Sequence, residues 1–169
     1  MKAHLAGAFY VMAVLAAASG EGFLHGRLAF GVGLIAVACF VVVTFALYAL
    51  FKAVSRPIAL LAASSNLLGL SFEALRLQPG GANIALIFHG LYCVLIGLLI
   101  ARSGCLPRVL AAAIIIGGLA WLTDISIPLT NHLAPYNILV GFLGEGLPML
   151  WLLITGVNPQ RWYDRAHIA

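Results

Sequence analysis

Apolar positions fill six long blocks of this chain, and short polar breaks separate them. The blocks run roughly Leu5–Phe23, Ala29–Phe51, Ile58–Leu75, Ala82–Ala101, Val109–Ile127 and Ile138–Val157. Each is close to the ~20 apolar residues that a helix needs to cross a bilayer core. The breaks read "LHGRL", "KAVSRP", "RLQPGGAN", "RSGCLPR" and "PLTNHLAPYN". Pro57, Pro79, Pro107, Pro128 and Pro135 fall in or beside them, where a missing backbone N–H does least harm. Irregular backbone is not viable against lipid, so the blocks are read as helices. The pattern therefore predicts an all-α integral membrane protein, one domain over residues 1–169 with six transmembrane helices. The first block also has the order of a signal peptide: a basic start, an apolar core, then small residues. Retention is the preferred reading, because "EGFLHGRLAFG" runs straight into another apolar block.

Composition fixes the solvent. Hydrophobic residues make up 63% of the chain, charged residues 8%, and mean hydropathy is +1.09. An ordinary soluble domain carries about 25% charged residues. The net charge of +4 comes from nine dispersed basic residues rather than a stripe, so no nucleic-acid partner is expected. Such residues report orientation instead. With six spans the termini share a side, which carries Lys2, Lys52, Arg56, Arg102, Arg108, Arg161 and Arg165, while the other side carries Arg27 and Arg76. Both termini are thus expected to be cytoplasmic. Cys39, Cys93 and Cys105 show no CxxC spacing and read as small buried hydrophobes.

The acids carry the candidate chemistry. Asp164 lies in the polar tail, but Glu21, Glu73, Asp124 and Glu145 lie within or at the ends of the apolar blocks. A charge at mid-span costs about 2.5–3.5 kcal/mol on insertion scales, so such groups face a bundle interior and mark function. Glu145, in "GFLGEGLPMLW", is the deepest and has no basic neighbour on its own helix. With Asp124 it forms the acid/base candidate pair. His89 and Glu145 come out about 10 Å below the outer surface, and the other three acids lie nearer to it.

Helical spacing puts Asn66, Gly69 and Glu73 on one face, as it does His89, Tyr92 and Cys93, then Gly141, Glu145 and Pro148, and Tyr10, Val14, Ala17 and Glu21. His89, Tyr92, Asn66, Glu73 and Glu21 are the binding candidates. Structural readings stand beside these: a Glu73–Arg76 ion pair, an interfacial cluster of Glu21, His25 and Arg27, loop capping by Asp124, and a hydrogen-bonded core role for His89. A metal variant of the chemistry would take His89 plus carboxylates as ligands, but no HxxxH or ExxH spacing is present, and neither a metal nor a cofactor is expected. The second block has only Thr44 and Tyr48 as polar punctuation and is assigned to lipid or a second protomer.

"LIFHGLYCVLIGLLIARSGCLPRVLAAAIIIGGLAWLTD" and "GFLGEGLPMLWLLITGVN" resemble the bacterial membrane family filed as domain of unknown function 4386, and "AGAFYVMAVLAAASGEGFLHGRL" is similar to its first span. The chain departs from that pattern in having "GLYC" where "GLHC" is expected, with a histidine at 89 instead, and Asn66 and Gly69 where a basic-acidic pair is expected. The resemblance implies a multi-pass protein of a bacterial inner membrane and no established activity.

Three functions compete. The first is binding or transport of a small apolar or amphiphilic, lipid-soluble molecule, in a protein that contacts membrane lipid and forms a homo-oligomer. The second is a membrane-embedded enzyme of isomerase, cyclase or epoxide-opening type, with a carboxylic acid as general acid. The third is an accessory subunit in which the acids join helices.

Overall fold

The computed structural model describes residues 2–22, 27–78 and 82–157. Among these residues there are seven α-helices, one 3-10 turn and no strand. The helices are α1 (Lys2–Gly22), α2 (Arg27–Phe51), α3 (Arg56–Ala74), α4 (Ile84–Ser103), α5 (Arg108–Trp121), α6 (Ile127–Leu133) and α7 (Tyr136–Ile154). Five stretches are long and apolar enough to cross a membrane: Phe30–Phe51, Arg56–Ala74, Ile84–Ser103, Arg108–Ile125 and Tyr136–Ile154. In α1 the described apolar stretch is shorter, His4–Ala16. The chain is built as a multi-pass membrane protein.

Local chemistry sets the boundaries. Pro57 occupies the first turn of α3, where its missing N–H breaks no helical bond, and Ser55 before it is extended. Asn83 caps α4 by accepting a hydrogen bond from the Leu86 backbone N–H at 3.3 Å. Gly104, at φ 64°, ends that helix in the left-handed region that other residues avoid. Two expectations need correcting here. The fifth span is α-helical only to Trp121 and tightens into a 3-10 turn over Leu122–Ile125. The last break is not bare loop, because it contains α6, started by Pro128 in its first turn.

The six long helices close a ring. α1 packs on α2 and α7, α3 on α2 and α4, and α5 on α4 and α7. The α1–α2 and α4–α5 seams are the most extensive, and the α1–α7 and α2–α3 seams are the sparsest among neighbours in the ring. The ring thus divides into an α1–α2 hairpin and an α3–α4–α5–α7 unit. The second unit is drawn tight by small residues. A Cβ on Gly144 would lie 2.5 Å from the Ala113 carbonyl oxygen and 2.6 Å from Gly117 Cα, so α5 and α7 touch backbone to backbone.

The interior has two halves. Leu47, Phe51, Leu99, Ile100, Ile114 and Leu152 build a dry core toward the end of the bundle where Lys52, Arg56, Arg102 and Arg108 lie exposed. Beyond that core the interior turns polar. The outer surface carries Leu15, Ile35, Phe45, Leu61, Ile116, Leu119, Leu143 and Leu150, a lipid-facing belt rather than a water-facing one.

Candidate functional site

A chain of hydrogen bonds crosses the polar half, and its direction can be read from one fixed end. Thr44 Oγ1 on α2 donates to the Phe40 carbonyl at 2.7 Å, one turn back on its own helix. With its proton committed, the hydroxyl accepts from Asn66 Nδ2 of α3 at 2.7 Å. That orients the amide, so Asn66 Oδ1 accepts from His89 Nδ1 of α4 at 2.9 Å. The other ring nitrogen, Nε2, faces Glu145 Oε2 of α7 at 2.9 Å, and one proton joins them. Glu145 Oε1 accepts from Trp121 Nε1 of α5 at 2.7 Å. Tyr10 of α1 lies close to the Glu145 carboxyl and packs on Phe40. Each of the six long helices thus contributes a polar side chain to one hub.

Burial makes these bonds obligatory. Thr44, Asn66, Trp121 and Glu145 are all buried, with Glu145 only 4% exposed, and an unpaired polar group there would cost on the order of 1–3 kcal/mol. His89 is the most accessible member of the His89–Glu145 pair, its side chain 14% exposed. The Phe40 ring stands edge-on to His89, centroids 5.6 Å apart, and Tyr10 stands edge-on to Phe40 at 5.9 Å. The α1–α2 hairpin therefore lays an aromatic cover over the imidazole. One turn along α4 from His89, Cys93 Sγ lies 3.6 Å from Nε2. The Tyr92 hydroxyl is buried near Thr44 and, among the described residues, finds no hydrogen-bond partner in good geometry.

Two residues of α7 shape the position of Glu145. Gly141, one turn before it, lies flat against the indole of Trp121, where any Cβ would run into the ring. That gap lets the indole N–H reach the carboxyl. Pro148, buried within α7, cannot donate to the carbonyl of Gly144, which loosens the turn that carries Glu145.

Of the residues singled out from sequence, the structure brings Glu145, His89, Asn66 and Tyr92 together. Asp124 does not join them. It lies partly buried in the 3-10 turn, and among the described residues no hydrogen bond or ion pair joins it to Glu145, whose α5-side partner is Trp121. Loop capping, the other role considered for Asp124, falls to Thr123 and Thr130: Thr130 Oγ1 donates to the Thr123 carbonyl at 2.9 Å, and Asn137 Nδ2 donates to Thr123 Oγ1 at 3.2 Å.

Glu73 is exposed and lines a shallow cleft with Phe30, Gly33, Leu34, Val37 and Arg76, away from the hub. Arg76 stacks its guanidinium over the Phe30 ring, 5.1 Å from the centroid. Glu21 is in the last turn of α1, but its side chain lies outside the described residues, as do His25 and the side chain of Arg27.

Sequence reasoning missed Trp121 and Thr44 as members of the site. A tryptophan inside an apolar span needs an acceptor for its N–H, so Trp121 carried a signal. Thr44 carried almost none, because a threonine can satisfy itself on its own helix. Its buried place brings one face of the second block into the hub, while Ile35 and Phe45 keep the lipid-facing side expected of that block.

Residues 70–156 match the family described as Domain of unknown function (DUF4386). The matched stretch contains His89, Tyr92, Cys93, Trp121 and Glu145, whereas Tyr10, Thr44 and Asn66 precede it. No curated protein and no solved structure matches the chain.

Proposed function

The chain belongs to the DUF4386 family, whose description names no activity, and from that premise we propose that it binds a small lipid-soluble molecule at the His89–Glu145 pair and passes it through the membrane. In this reading the protein has six spans, both termini cytoplasmic, in a bacterial inner membrane. The ligand carries a hydrogen-bonding head, such as an alcohol, phenol or amide, on an apolar body.

One observation carries the proposal: the pair sits where the two units of the ring meet. Tyr10, Phe40 and Thr44 come from the α1–α2 hairpin, and Asn66, His89, Trp121 and Glu145 come from the α3–α4–α5–α7 unit. The two units join across the sparsest seams of the ring. Movement of the hairpin uncovers His89 and Glu145 to lipid without breaking the glycine-packed contacts inside the larger unit. An incoming head group then replaces the direct His89–Glu145 bond, accepting from one partner and donating to the other.

A structural reading rests on a different observation, that the hub ties all six long helices and leaves few of its groups unpaired. One experiment separates the two. The full chain is purified in nanodiscs as wild type and as Glu145→Gln, and bound molecules are identified by native mass spectrometry. Glutamine keeps the shape, accepts from Trp121 and donates to a neutral His89. The expected result is a bound amphiphile in the wild type that is lost in Glu145→Gln at unchanged thermal stability. The same bound species in both proteins, or none in either, would leave the hub as structural glue.

A further inference from the structure

We propose that His89, Cys93 and Glu145 form a binding site for one divalent transition-metal ion of the zinc class. His89 and Cys93 stand one turn apart on the same face of α4, and Glu145 approaches from α7. Nε2, Sγ and a carboxylate oxygen all lie within 4.8 Å of one another. The site goes beyond the lipid-ligand reading and does not depend on it.

The distances fit a tetrahedral ion. Zinc bonds of about 2.0–2.1 Å to nitrogen and about 2.3 Å to sulfur place those two atoms about 3.6 Å apart. The observed Nε2···Sγ separation is 3.6 Å. The corresponding nitrogen–oxygen edge is about 3.4 Å, so Nε2 and Oε2, now 2.9 Å apart, separate by a few tenths of an ångström. The ligand types also select the metal. Imidazole and thiolate favour zinc, copper and iron, whereas magnesium and calcium take oxygen.

The outer partners of a metal site are already in place. Metal-bound histidines donate their second N–H to a carbonyl or carboxylate, which fixes the tautomer. His89 Nδ1 donates to Asn66 Oδ1 at 2.9 Å. Ligating carboxylates are held by further hydrogen bonds, and Trp121 Nε1 holds the far oxygen of Glu145 at 2.7 Å. Charge closes as well. Binding one M²⁺ releases the Cys93 thiol proton and the proton shared by His89 and Glu145. A thiolate, a carboxylate and a neutral imidazole then balance the ion, so the loaded site is neutral where net charge is costly.

Three protein ligands leave a fourth position open, the arrangement of sites that take up water or a small molecule. The Tyr10 hydroxyl, close to Glu145, and the buried Tyr92 hydroxyl, which has no hydrogen-bond partner among the described residues, lie beside the cluster. They are suited to hold a fourth ligand. Neither HxxxH nor ExxH spacing marks this set, because its two α4 ligands are His89 and Cys93 and its third, Glu145, comes from a distant helix.

The test uses cobalt as a spectroscopic stand-in. Purified full-length protein, stripped with chelator, is titrated with Co²⁺ and then Zn²⁺. The wild type should bind one equivalent of Co²⁺ with a thiolate-to-cobalt charge-transfer band and tetrahedral visible bands, and Zn²⁺ should bleach both. Cys93→Ser should abolish the charge-transfer band and His89→Gln should weaken binding at least tenfold. Cys39→Ser and Cys105→Ser should leave the spectrum unchanged, and thermal melts of each variant confirm folding. A wild type that binds no stoichiometric cobalt, or a charge-transfer band that survives in folded Cys93→Ser, overturns the site. A wild type that binds no cobalt yet retains a bound amphiphile would leave the lipid-ligand reading standing alone.

Discussion

Both carboxyl oxygens of Glu145 are engaged, one by Trp121 and the other by His89, so each partner can be tested by removing a single donor. Trp121→Phe keeps an aromatic ring against Gly141 but leaves Oε1 without the indole N–H. Interhelical hydrogen bonds in membranes average only about 0.6 kcal/mol, because the unfolded chain in lipid also finds partners. Stranding a buried carboxyl oxygen costs more than losing an average bond, on the order of 1–3 kcal/mol. Trp121→Phe is therefore expected to lower stability by about 1–2 kcal/mol, read as a lower midpoint in thermal unfolding of the purified protein. An unchanged midpoint would show that the bond is dispensable. The residue scale is also where the sequence was least explicit. The cost of an unpaired acid in an apolar span marked Glu145, and one-turn spacing put His89 beside Tyr92 and Cys93. The partner of Glu145 on α5 was not legible, because Asp124 and Trp121 are three residues apart and only the exact end of the helix decides which of them faces inward. The α-helix stops at Trp121 and the 3-10 turn carries Asp124 away from the carboxyl.

The helices themselves were legible from hydropathy because lipid leaves the backbone few alternatives, and the six blocks reappear as α1 to α5 and α7 with shifted ends. Which faces meet was less legible, since an all-round apolar helix has no polar side to exclude. Glycines supply the missing register, and they make a prediction at this scale. Glycine flanks Glu145 on both sides, but the two positions are not equivalent. A Cβ at 144 would lie 2.5 Å from the Ala113 carbonyl oxygen, whereas one at 146 meets nothing within 4 Å. Gly144→Ala must push α7 from α5 and is expected to cost about 1–3 kcal/mol, while Gly146→Ala should leave stability level. Side-by-side denaturation in the same detergent checks the contrast. Equal effects at the two positions would contradict the close α5–α7 packing.

At the scale of the whole molecule, the two ends of the bundle differ in both charge and interior. Lys52, Arg56, Arg102 and Arg108 are exposed at the end with the dry core, and the 3-10 turn and α6 lie at the other, toward the polar hub. Basic residues are retained on the cytoplasmic side, so the hub should lie in the outer half of the membrane. The prediction can be tested with single cysteines at Ser55, between α2 and α3, and at Gln78 and Asn131, at the opposite end. The three native cysteines are buried and stay silent toward a membrane-impermeant maleimide. In intact cells Gln78→Cys and Asn131→Cys should label, and Ser55→Cys should label only after lysis. The reverse pattern would place His89 and Glu145 in the cytoplasmic half, and any ligand would then enter from the inner leaflet. Labelling at all three positions in intact cells would contradict the six-span path itself, because Ser55 and Gln78 bracket α3 and a spanning α3 must hold them on opposite faces.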